Sequence, residues 1–339
     1  MEKVVVVGAG VMGSGLAIHL ANKGKRVNLW GTRWDRNLIK EMQDSKQHKD
    51  FQVDLPNTIN LYYHNQLEEA FKGVRLVIIA VVSKGVANIC RKITPYLKDD
   101  HIILSVSKGI DETSLLTMSS LIRQTLPVHL REKVDIVKLG GPIIAAELAN
   151  LKYTEAVFAS HNLNSAKYVG EMFKTDKFKI NISTDIEGVD LCSALKNTYA
   201  IGMGMMEGLE RGSNNPQAAL MARGSLEMGR IVKAYGGEIL TALSIAGVGD
   251  YYVTSLGGRN GQFGKYLGKG NTIERALELM EGQTVEGLAG TLNAYRLLEK
   301  LEGEGRFNIE KEAPLFNEIY KVLYEGKLAS EAMADYWKR

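Results

Sequence analysis

The chain has 339 residues, of which 45% are apolar, and this is more than a single hydrophobic core usually holds, so we expect two domains. With 42 basic against 39 acidic residues, the net charge of +3 is too small to indicate nucleic-acid binding. The cysteines, Cys90 and Cys192, and the six histidines lack disulfide or metal-ligand spacing, so no disulfide scaffold and no metal site is expected.

The N-terminus shows no targeting pattern, because Met1-Glu2-Lys3 runs directly into a short strand-like segment. The longest apolar run, residues 76–82, is far shorter than the roughly 20 residues that cross a bilayer. We therefore expect a cytoplasmic protein with small-molecule partners and no membrane insertion.

The first half of the chain alternates strand-like and helix-like segments. Residues 4–7 form a β-branched run, residues 11–22 have helical periodicity, and residues 27–30 are apolar again. Further strands are predicted at residues 76–82, 102–106 and 136–139. Continuous apolar strands separated by helices are typical of a parallel sheet covered on both faces.

The second half is predicted to be helical. Helices are expected at residues 191–209, 217–235, 273–280, 285–301 and 313–324. The sequence therefore predicts an α/β domain with a parallel sheet over residues 1–185, followed by an all-α domain over residues 186–339.

The first chemical motif is the run Gly8-Ala9-Gly10-Val11-Met12-Gly13, which follows a strand and opens a helix. Such glycines permit a tight turn, close backbone approach to a pyrophosphate and helix-on-strand packing, while the helix N-terminus supplies amide donors. The motif therefore predicts a Rossmann-type dinucleotide site; the alternative is a tight structural turn.

The end of the second predicted strand bears on the kind of cofactor. Trp30 is followed by Gly31-Thr32-Arg33, so the acid expected there is missing, and the first carboxylate is Asp35. Arg33 can pair with a 2′-phosphate, which favours NADP over NAD. The alternative is a solvated loop arginine.

Two turns follow predicted strands in the first half. Lys108 lies in Ser107-Lys108-Gly109 and Gly141 in Gly140-Gly141-Pro142. Ligands bind at the carboxyl ends of strands in open α/β sheets, so Lys108 can reach a cofactor or an anionic substrate, and Gly141 lets backbone amides face a ligand. The alternatives are a surface lysine and an ordinary turn.

Lys196 lies among apolar and small residues of a predicted helix, beside Leu195 and Ala200. Such a lysine is poorly hydrated unless it meets an anion or a carboxylate, and burial lowers the pKa of a lysine, which suits proton transfer near neutral pH. The alternative is a lysine whose ammonium extends from the helix face to solvent.

The stretch from Ala246 to Asn260 is rich in glycine and small residues and holds an acid, Asp250, and a base, Arg259. We expect a glycine-rich loop that binds an anion.

Taken in order, these motifs resemble those of NAD(P)-dependent sn-glycerol-3-phosphate dehydrogenase over nearly the whole chain. The resemblance rests on residues 8–13, 107–109, Gly141-Pro142 with Ala145 and Glu147, residues 195–197, Arg223-Gly224 with Glu227, and residues 249–250, 259–260 and 285–287. It implies a Rossmann domain joined to a helical domain, reduction of dihydroxyacetone phosphate in the cleft between them, glycerol phosphate for phospholipid synthesis, and a homodimer.

The resemblance also implies roles for single residues. Lys196 is the general acid/base, assisted by Lys108 and Asp250. The implied substrate contacts are Lys108, Gly141, Asn197, Asp250, Thr254, Gly258, Arg259 and Asn260, the last two on the phosphate. The implied NAD(P) contacts are Gly8, Gly10, Val11, Met12, Gly13, Thr32, Arg33, Lys108, Ala145, Arg259, Thr284 and Glu286.

Two positions depart from the family pattern. Ile143 follows Gly-Pro, and Gly258 precedes Arg-Asn, where family members often carry side-chain donors. The backbone amides of Gly257 and Gly258 can replace one of them. Two alternatives are a related Rossmann-plus-helical dehydrogenase in which Arg259 binds the carboxylate of a β-hydroxyacid, and a non-catalytic redox sensor that binds the dinucleotide.

Overall fold

The computed structural model describes residues 2–339, which form two compact units. The first comprises residues up to 108 together with 118–186, and the second comprises 109–117 together with 187–339. The division after residue 186 lies beside the predicted boundary, but the short segment 109–117 belongs to the second unit although it precedes it in the chain.

The first unit is built on an eight-stranded sheet. The strands are β1 (Lys3–Val7), β2 (Arg26–Trp30), β3 (Gln47–His48), β4 (Val53–Asp54), β5 (Ile59–Tyr62), β6 (Leu76–Ile79), β7 (Ile102–Ser105), β8 (Asp135–Gly140), β9 (Thr154–Ala159) and β10 (Phe178–Ser183). The order in the large sheet is β10-β9-β8-β7-β6-β1-β2-β5, and β3 pairs with β4 in a separate ribbon. Neighbours are parallel except β8 and β9, so β9 and β10 run opposite to the rest.

Helices follow the strands of this unit. They are α1 (Val11–Asn22), α2 (Arg36–Ser45), α3 (Leu67–Phe71), α4 (Val86–Ile93), α5 (Met118–Thr125), α6 (Val128–Arg131), α7 (Ala145–Ala149) and α8 (Leu163–Phe173). Every residue of β6 and β7 is buried, as expected for central parallel strands covered on both faces. The predicted α/β Rossmann-type class is confirmed.

The strands β5, β9 and β10 were not predicted, nor was the ribbon of β3 and β4. Both β5 and β10 lie at the edges of the large sheet, and their polar residues, such as Asn60 and Asn181, interrupt the apolar run that marks a central strand. Edge strands of this kind depend on pairing with a neighbour more than on their own composition.

The second unit is helical. Its helices are α9 (Ile186–Leu209), α10 (Asn214–Tyr235), α11 (Ile239–Ala242), α12 (Asp250–Ser255), α13 (Arg259–Gly268), α14 (Ile273–Leu279), α15 (Glu286–Gly303), α16 (Ile309–Glu312), α17 (Pro314–Tyr324) and α18 (Ala329–Trp337). A π-helical turn, Ile245–Gly249, leads into α12. The predicted all-α second half is confirmed, with α11, α12, α13, α16 and α18 in addition to the five predicted helices.

No single helix of residues 2–339 is long and apolar enough to cross a membrane. Two consecutive helical segments, Ile239–Ser255 and Arg259–Gly268, reach the required length and apolar composition only when they are counted together. The chain bends by 59° between them.

Candidate functional site

The glycine-rich turn after β1 has two crowded glycines, Gly8 and Gly13, and one open glycine, Gly10. A Cβ on Gly13 would lie 2.0 Å from the carbonyl oxygen of Gly8, so only glycine lets α1 pack this closely. A Cβ on Gly10 would meet nothing within 4 Å, and the neighbouring Val11 is 56% exposed. The backbone at the N-terminus of α1 is therefore open to a ligand, which fits the pyrophosphate of a dinucleotide.

A carboxylate does stand at the end of β2, contrary to the expectation that the acid is missing. Asp35 ends a short 3₁₀ turn, and its Oδ2 accepts hydrogen bonds of 2.7 Å from both the amide and the hydroxyl of Thr32. The same oxygen lies 3.5 Å from the amide of Ala9 in the glycine-rich turn. The sequence did not indicate this position for the Asp35 carboxylate, because the 3₁₀ turn folds it back toward Ala9, which follows β1.

Arg33 lies in the same turn and is exposed. Its guanidinium carbon lies 4.6 Å from the ring centroid of Trp34, whose side chain is 81% exposed. The basic group of Arg33 therefore lies at the surface beyond the end of β2.

Ala145 lies against α1 because α7 packs on that helix. Gly141 directly follows β8, which runs parallel to β1 in the same sheet, so it lies at the same edge as the glycine-rich turn. A Cβ on Gly15 would lie 2.9 Å from the carbonyl oxygen of Ala145, so these helices meet almost backbone to backbone. Gly141 has φ +116°, a left-handed conformation that glycine adopts without strain. Ile143 packs against the sheet core, so this departure serves packing.

Lys108 follows β7 in a turn fixed by a residue that the sequence did not single out. The Ser107 hydroxyl donates to the carbonyl of Val81 at 2.5 Å, and the Lys138 ammonium donates to the carbonyl of Ser107. Lys138 lies on β8 and is completely buried. A charged residue inside an otherwise apolar predicted strand was the available signal for it.

In the second unit, Lys196 and Asp250 form a buried ion pair between α9 and α12. The Lys196 ammonium donates to Asp250 Oδ1, and the two side chains are only 7% and 1% exposed. A buried charge is tolerated when it is paired with an opposite charge. Asp250 supplies the carboxylate that offsets the poor hydration of the Lys196 ammonium among apolar residues. Two residues that were 54 positions apart in sequence thus form one chemical unit.

Beside this pair, two asparagines lock α9 to α13. The Asn260 amide donates to Asn197 Oδ1 at 3.0 Å, and Asn260 Oδ1 accepts from the amide of Gly287 at 2.8 Å. The helices approach closely because they meet at glycines: a Cβ on Gly204 would lie 2.0 Å from the carbonyl oxygen of Gly261. Asn260 is therefore held on both sides, and Asn197 stands one residue from Lys196.

The stretch from 246 to 260 is mostly helical, so the expected glycine-rich loop is wrong. Asp250 begins α12 and Arg259 begins α13, with a short break at residues 256–258. The Thr254 hydroxyl donates to the carbonyl of Asp250 at 2.6 Å. A Cβ on Gly258 would lie 2.9 Å from the carbonyl oxygen of Thr254, so the break is too tight for a larger residue without a shift.

Arg259 and Glu286 form a half-exposed pair at the first residues of α13 and α15. Their nearest atoms are 3.6 Å apart, and each side chain is 50% exposed. Thr284 lies exposed two residues before α15. An exposed pair of this kind is weak, so Arg259 can exchange this partner for a phosphate at little cost.

Family models match both parts of the chain. Residues 3–166 match the N-terminal region of NAD-dependent glycerol-3-phosphate dehydrogenase, and residues 185–334 match its C-terminal region.

Individual proteins give the same result. The chain is 35% identical to an NADP(+)-dependent glycerol-3-phosphate dehydrogenase of Archaeoglobus fulgidus, over 97% of each chain. It is 37% identical to a glycerol-3-phosphate dehydrogenase [NAD(P)+] of Thermoanaerobacter, over 98% of this chain and 95% of that one. The crystal structure of glycerol-3-phosphate dehydrogenase from Coxiella burnetii superposes with a TM-score of 0.86 at 29% identity, covering 100% of this chain and 99% of that one. A β-hydroxyacid dehydrogenase is not favoured by these matches.

Proposed function

The chain belongs to the NAD-dependent glycerol-3-phosphate dehydrogenase family, and we propose that it interconverts dihydroxyacetone phosphate and sn-glycerol 3-phosphate with Lys196 as the general acid and base. The observation that carries this proposal is the buried pair of Lys196 and Asp250 beside the interlocked Asn197 and Asn260. It places an ammonium, a carboxylate and amide groups together in a largely apolar helical unit.

The proton chemistry follows from the pair. The bound nicotinamide supplies or accepts a hydride at the substrate carbon. During reduction the carbonyl oxygen gains negative charge, and the Lys196 ammonium donates a proton to it; in the reverse direction the neutral amine takes that proton back. Asp250 keeps the lysine oriented and stabilises its protonated form.

We assign the phosphate of the substrate to Arg259 and Asn260 at the N-terminus of α13. Arginine binds phosphate through paired, charge-assisted hydrogen bonds, and the helix N-terminus adds amide donors. Asn197 and Thr254 orient the substrate oxygens. Lys108 and Gly141, both in the first unit, remain predicted substrate contacts. We propose that the first unit is the cofactor domain and the second is the substrate domain.

We assign the cofactor to the glycine-rich turn of residues 8–13 with Thr32, Arg33 and Ala145, and we propose that NADP is preferred. Arg33 is exposed beyond β2, and a basic group at this position suits a 2′-phosphate. Asp35 Oδ2 already accepts two hydrogen bonds from Thr32. Glu286 and Thr284 are proposed as further cofactor contacts.

The NADP preference is tested by Arg33→Asp. The ratio of kcat/KM for NADPH to that for NADH should fall about tenfold or more, since a single charge-assisted contact is worth about 1.5–3 kcal/mol. Lys233→Asp, on α10 in the helical unit, is the control for a change of charge at a distance. An unchanged ratio in Arg33→Asp would mean that the 2′-phosphate is bound elsewhere.

The activity itself is tested with a substrate panel. Purified protein is given NADPH or NADH with dihydroxyacetone phosphate, a β-ketoacid or no substrate, and nicotinamide oxidation is followed. We expect oxidation with dihydroxyacetone phosphate and formation of sn-glycerol 3-phosphate. Turnover only with the ketoacid would reject the proposed substrate, and cofactor binding without turnover would favour a sensor.

A homodimer and a cytoplasmic location remain predictions. Mass measured by light scattering during size-exclusion chromatography tests the first, and fractionation of cells that express the protein tests the second.

A further inference from the structure

Glu227 is a buried acid on α10 that the proposed chemistry does not use. It is 3% exposed, and its Oε1 accepts a hydrogen bond of 2.8 Å from the amide of Leu315. Its Oε2 accepts from the amide of Phe316 at 3.0 Å and from the Tyr199 hydroxyl at 3.3 Å. One carboxylate therefore binds the first turn of α17 and a side chain of α9.

The contact with Tyr199 leads back to the reacting pair. Tyr199 lies three residues after Lys196, one turn along α9. Tyr251 directly follows Asp250, and its hydroxyl lies 3.4 Å from the carbonyl oxygen of Tyr199, to which it donates. The two rings pack with centroids 5.8 Å apart, and both side chains are fully buried.

Gly224 explains why α10 can come so close. A Cβ at this position would lie 3.0 Å from Tyr199 Cδ1 and 3.2 Å from both Cε1 and the hydroxyl oxygen of Tyr251. Gly224 and Glu227 are three residues apart on one helix, so one leaves room for the two rings and the other accepts the Tyr199 hydroxyl.

We propose that Glu227 is a positioning residue, which holds Lys196 and Asp250 in their relative places through Tyr199 and Tyr251. This inference rests on the proposed role of Lys196 and Asp250. In this proposal Glu227 acts through Tyr199 and Tyr251, the aromatic residues that pack against each other next to Lys196 and Asp250 in the sequence.

Because Glu227 can ionise, its positioning role predicts that kcat depends on pH. A role in packing alone would not produce this dependence. Burial raises the pKa of Glu227 to about 7, against the lowering effect of the Leu315 and Phe316 amides and the Tyr199 hydroxyl. The other titratable or charged groups that interact with it are Tyr251 from α12, Tyr336 from α18, and Arg230 on its own helix. A hydrogen bond to a carboxylate is about twice as strong as one to a neutral acid, so the Tyr199 contact is strongest above pH 7.

The decisive variant is Tyr199→Phe, which keeps the ring and the hydrogen bonds from α17 but removes the link to Glu227. We expect kcat with dihydroxyacetone phosphate to fall about tenfold at pH 8, corresponding to about 1.4 kcal/mol of transition-state stabilisation. The substrate KM and the NADPH dissociation constant should change less than about twofold, since neither phosphate nor pyrophosphate contacts are altered. The deficit should be smaller at pH 6 than at pH 8.

Two further variants complete the test. Glu227→Gln replaces one carboxylate oxygen by an NH₂ group, which then faces a backbone N–H that needs an acceptor. If this variant folds, its kcat should fall at least as much as that of Tyr199→Phe. Glu318→Gln is the matched control, because Glu318 is also buried in this unit, at 1% exposure, but it forms ion pairs with Lys321, Lys327 and Arg339. It should lower the melting temperature and leave kcat unchanged.

Three results would overturn the inference: Tyr199→Phe with kcat close to wild type, a pH-independent deficit, or an equal loss of kcat in Glu318→Gln. Absence of turnover in the wild-type protein would instead reject the proposed function, so the two failures are distinguishable. If Glu227→Gln does not fold, Tyr199→Phe still decides.

Discussion

The two units of this chain build their sites in different ways. In the first unit the proposed cofactor contacts include backbone amides at the glycine-rich turn, and local packing sets the shape of that turn: a Cβ on Gly13 would lie 2.0 Å from the carbonyl oxygen of Gly8. In the second unit the groups are side chains from separate helices, such as Lys196 of α9 and Asp250 of α12. We therefore expect substitutions that change the shape of the turn to impair the first site. Substitutions that remove one member of a side-chain pair should impair the second.

The largest expected effect is on the second unit. Lys196→Ala removes the proposed proton donor, so kcat should fall by about 10²–10⁴, the usual contribution of general acid–base catalysis. NADPH binding, measured by fluorescence titration, should be unchanged. Lys265→Ala is the control, since Lys265 pairs with Glu207 on the same helical unit, and it should keep near-normal kcat. Near-normal turnover of Lys196→Ala would remove Lys196 from proton transfer.

Alanine substitutions at two glycines of the first unit, Gly13 and Gly10, are expected to have different effects. Gly13→Ala puts a Cβ into the carbonyl of Gly8, so both the melting temperature and NADPH binding should fall. Gly10→Ala meets no atom within 4 Å, so the melting temperature should hold while NADPH binding weakens about tenfold, because the methyl group occupies the space of the pyrophosphate. Normal cofactor binding in Gly10→Ala would contradict a site at this turn.

Arg259→Ala should act mainly on substrate affinity. Loss of charge-assisted bonds worth about 1.5–3 kcal/mol predicts that the KM for dihydroxyacetone phosphate rises about 10- to 150-fold, with a smaller change in kcat. Arg275→Ala, which breaks the exposed pair with Glu278 on α14, is the matched control and should leave KM unchanged. Equal KM values in the two variants would reject Arg259 as the phosphate ligand.

The smallest expected effect is at the break between α12 and α13. Gly258→Ser adds a donor but forces its Cβ to within 2.9 Å of the carbonyl oxygen of Thr254, so α13 must shift. We expect the substrate KM to rise a few-fold, on the order of 1 kcal/mol, because Arg259 and Asn260 move with the helix. A lower KM would show that the break adapts and that a side-chain donor is missing here.

The elements that could be predicted from the sequence are those with a local pattern of apolar residues. The strands at residues 4–7, 27–30, 76–82, 102–106 and 136–139 are central and apolar, and all five appear in the sheet. The strands β5, β9 and β10 escaped prediction, since pairing stabilises them more than composition. Helices α12 and α13 also escaped, because the glycines that flank α12, such as Gly249 and Gly257, were interpreted as marking a loop. The glycines within α13, such as Gly264, serve close packing against α9.

The candidate site shows the same limit. The turn of residues 8–13 follows from spacing alone, whereas the partnership of Lys196 with Asp250 needed the resemblance to a family. Asp35 was misjudged because its carboxylate folds back toward Ala9. Lys138 was missed although a charged residue inside an apolar strand was a signal for it, because its contact with Ser107 joins two separate segments of the chain. Contacts between distant segments leave no periodic signal, so sequence patterns alone do not indicate them.

The most direct test of the account is a double-mutant cycle on kcat with Lys196→Ala, Asp250→Asn and the double variant. If the two residues act as one proton-transfer unit, their effects are not additive, and the double variant should be about as slow as Lys196→Ala alone. Losses that multiply across the double variant would mean that the two residues contribute independently, and this would contradict the assignment of Asp250 as the partner of the catalytic lysine.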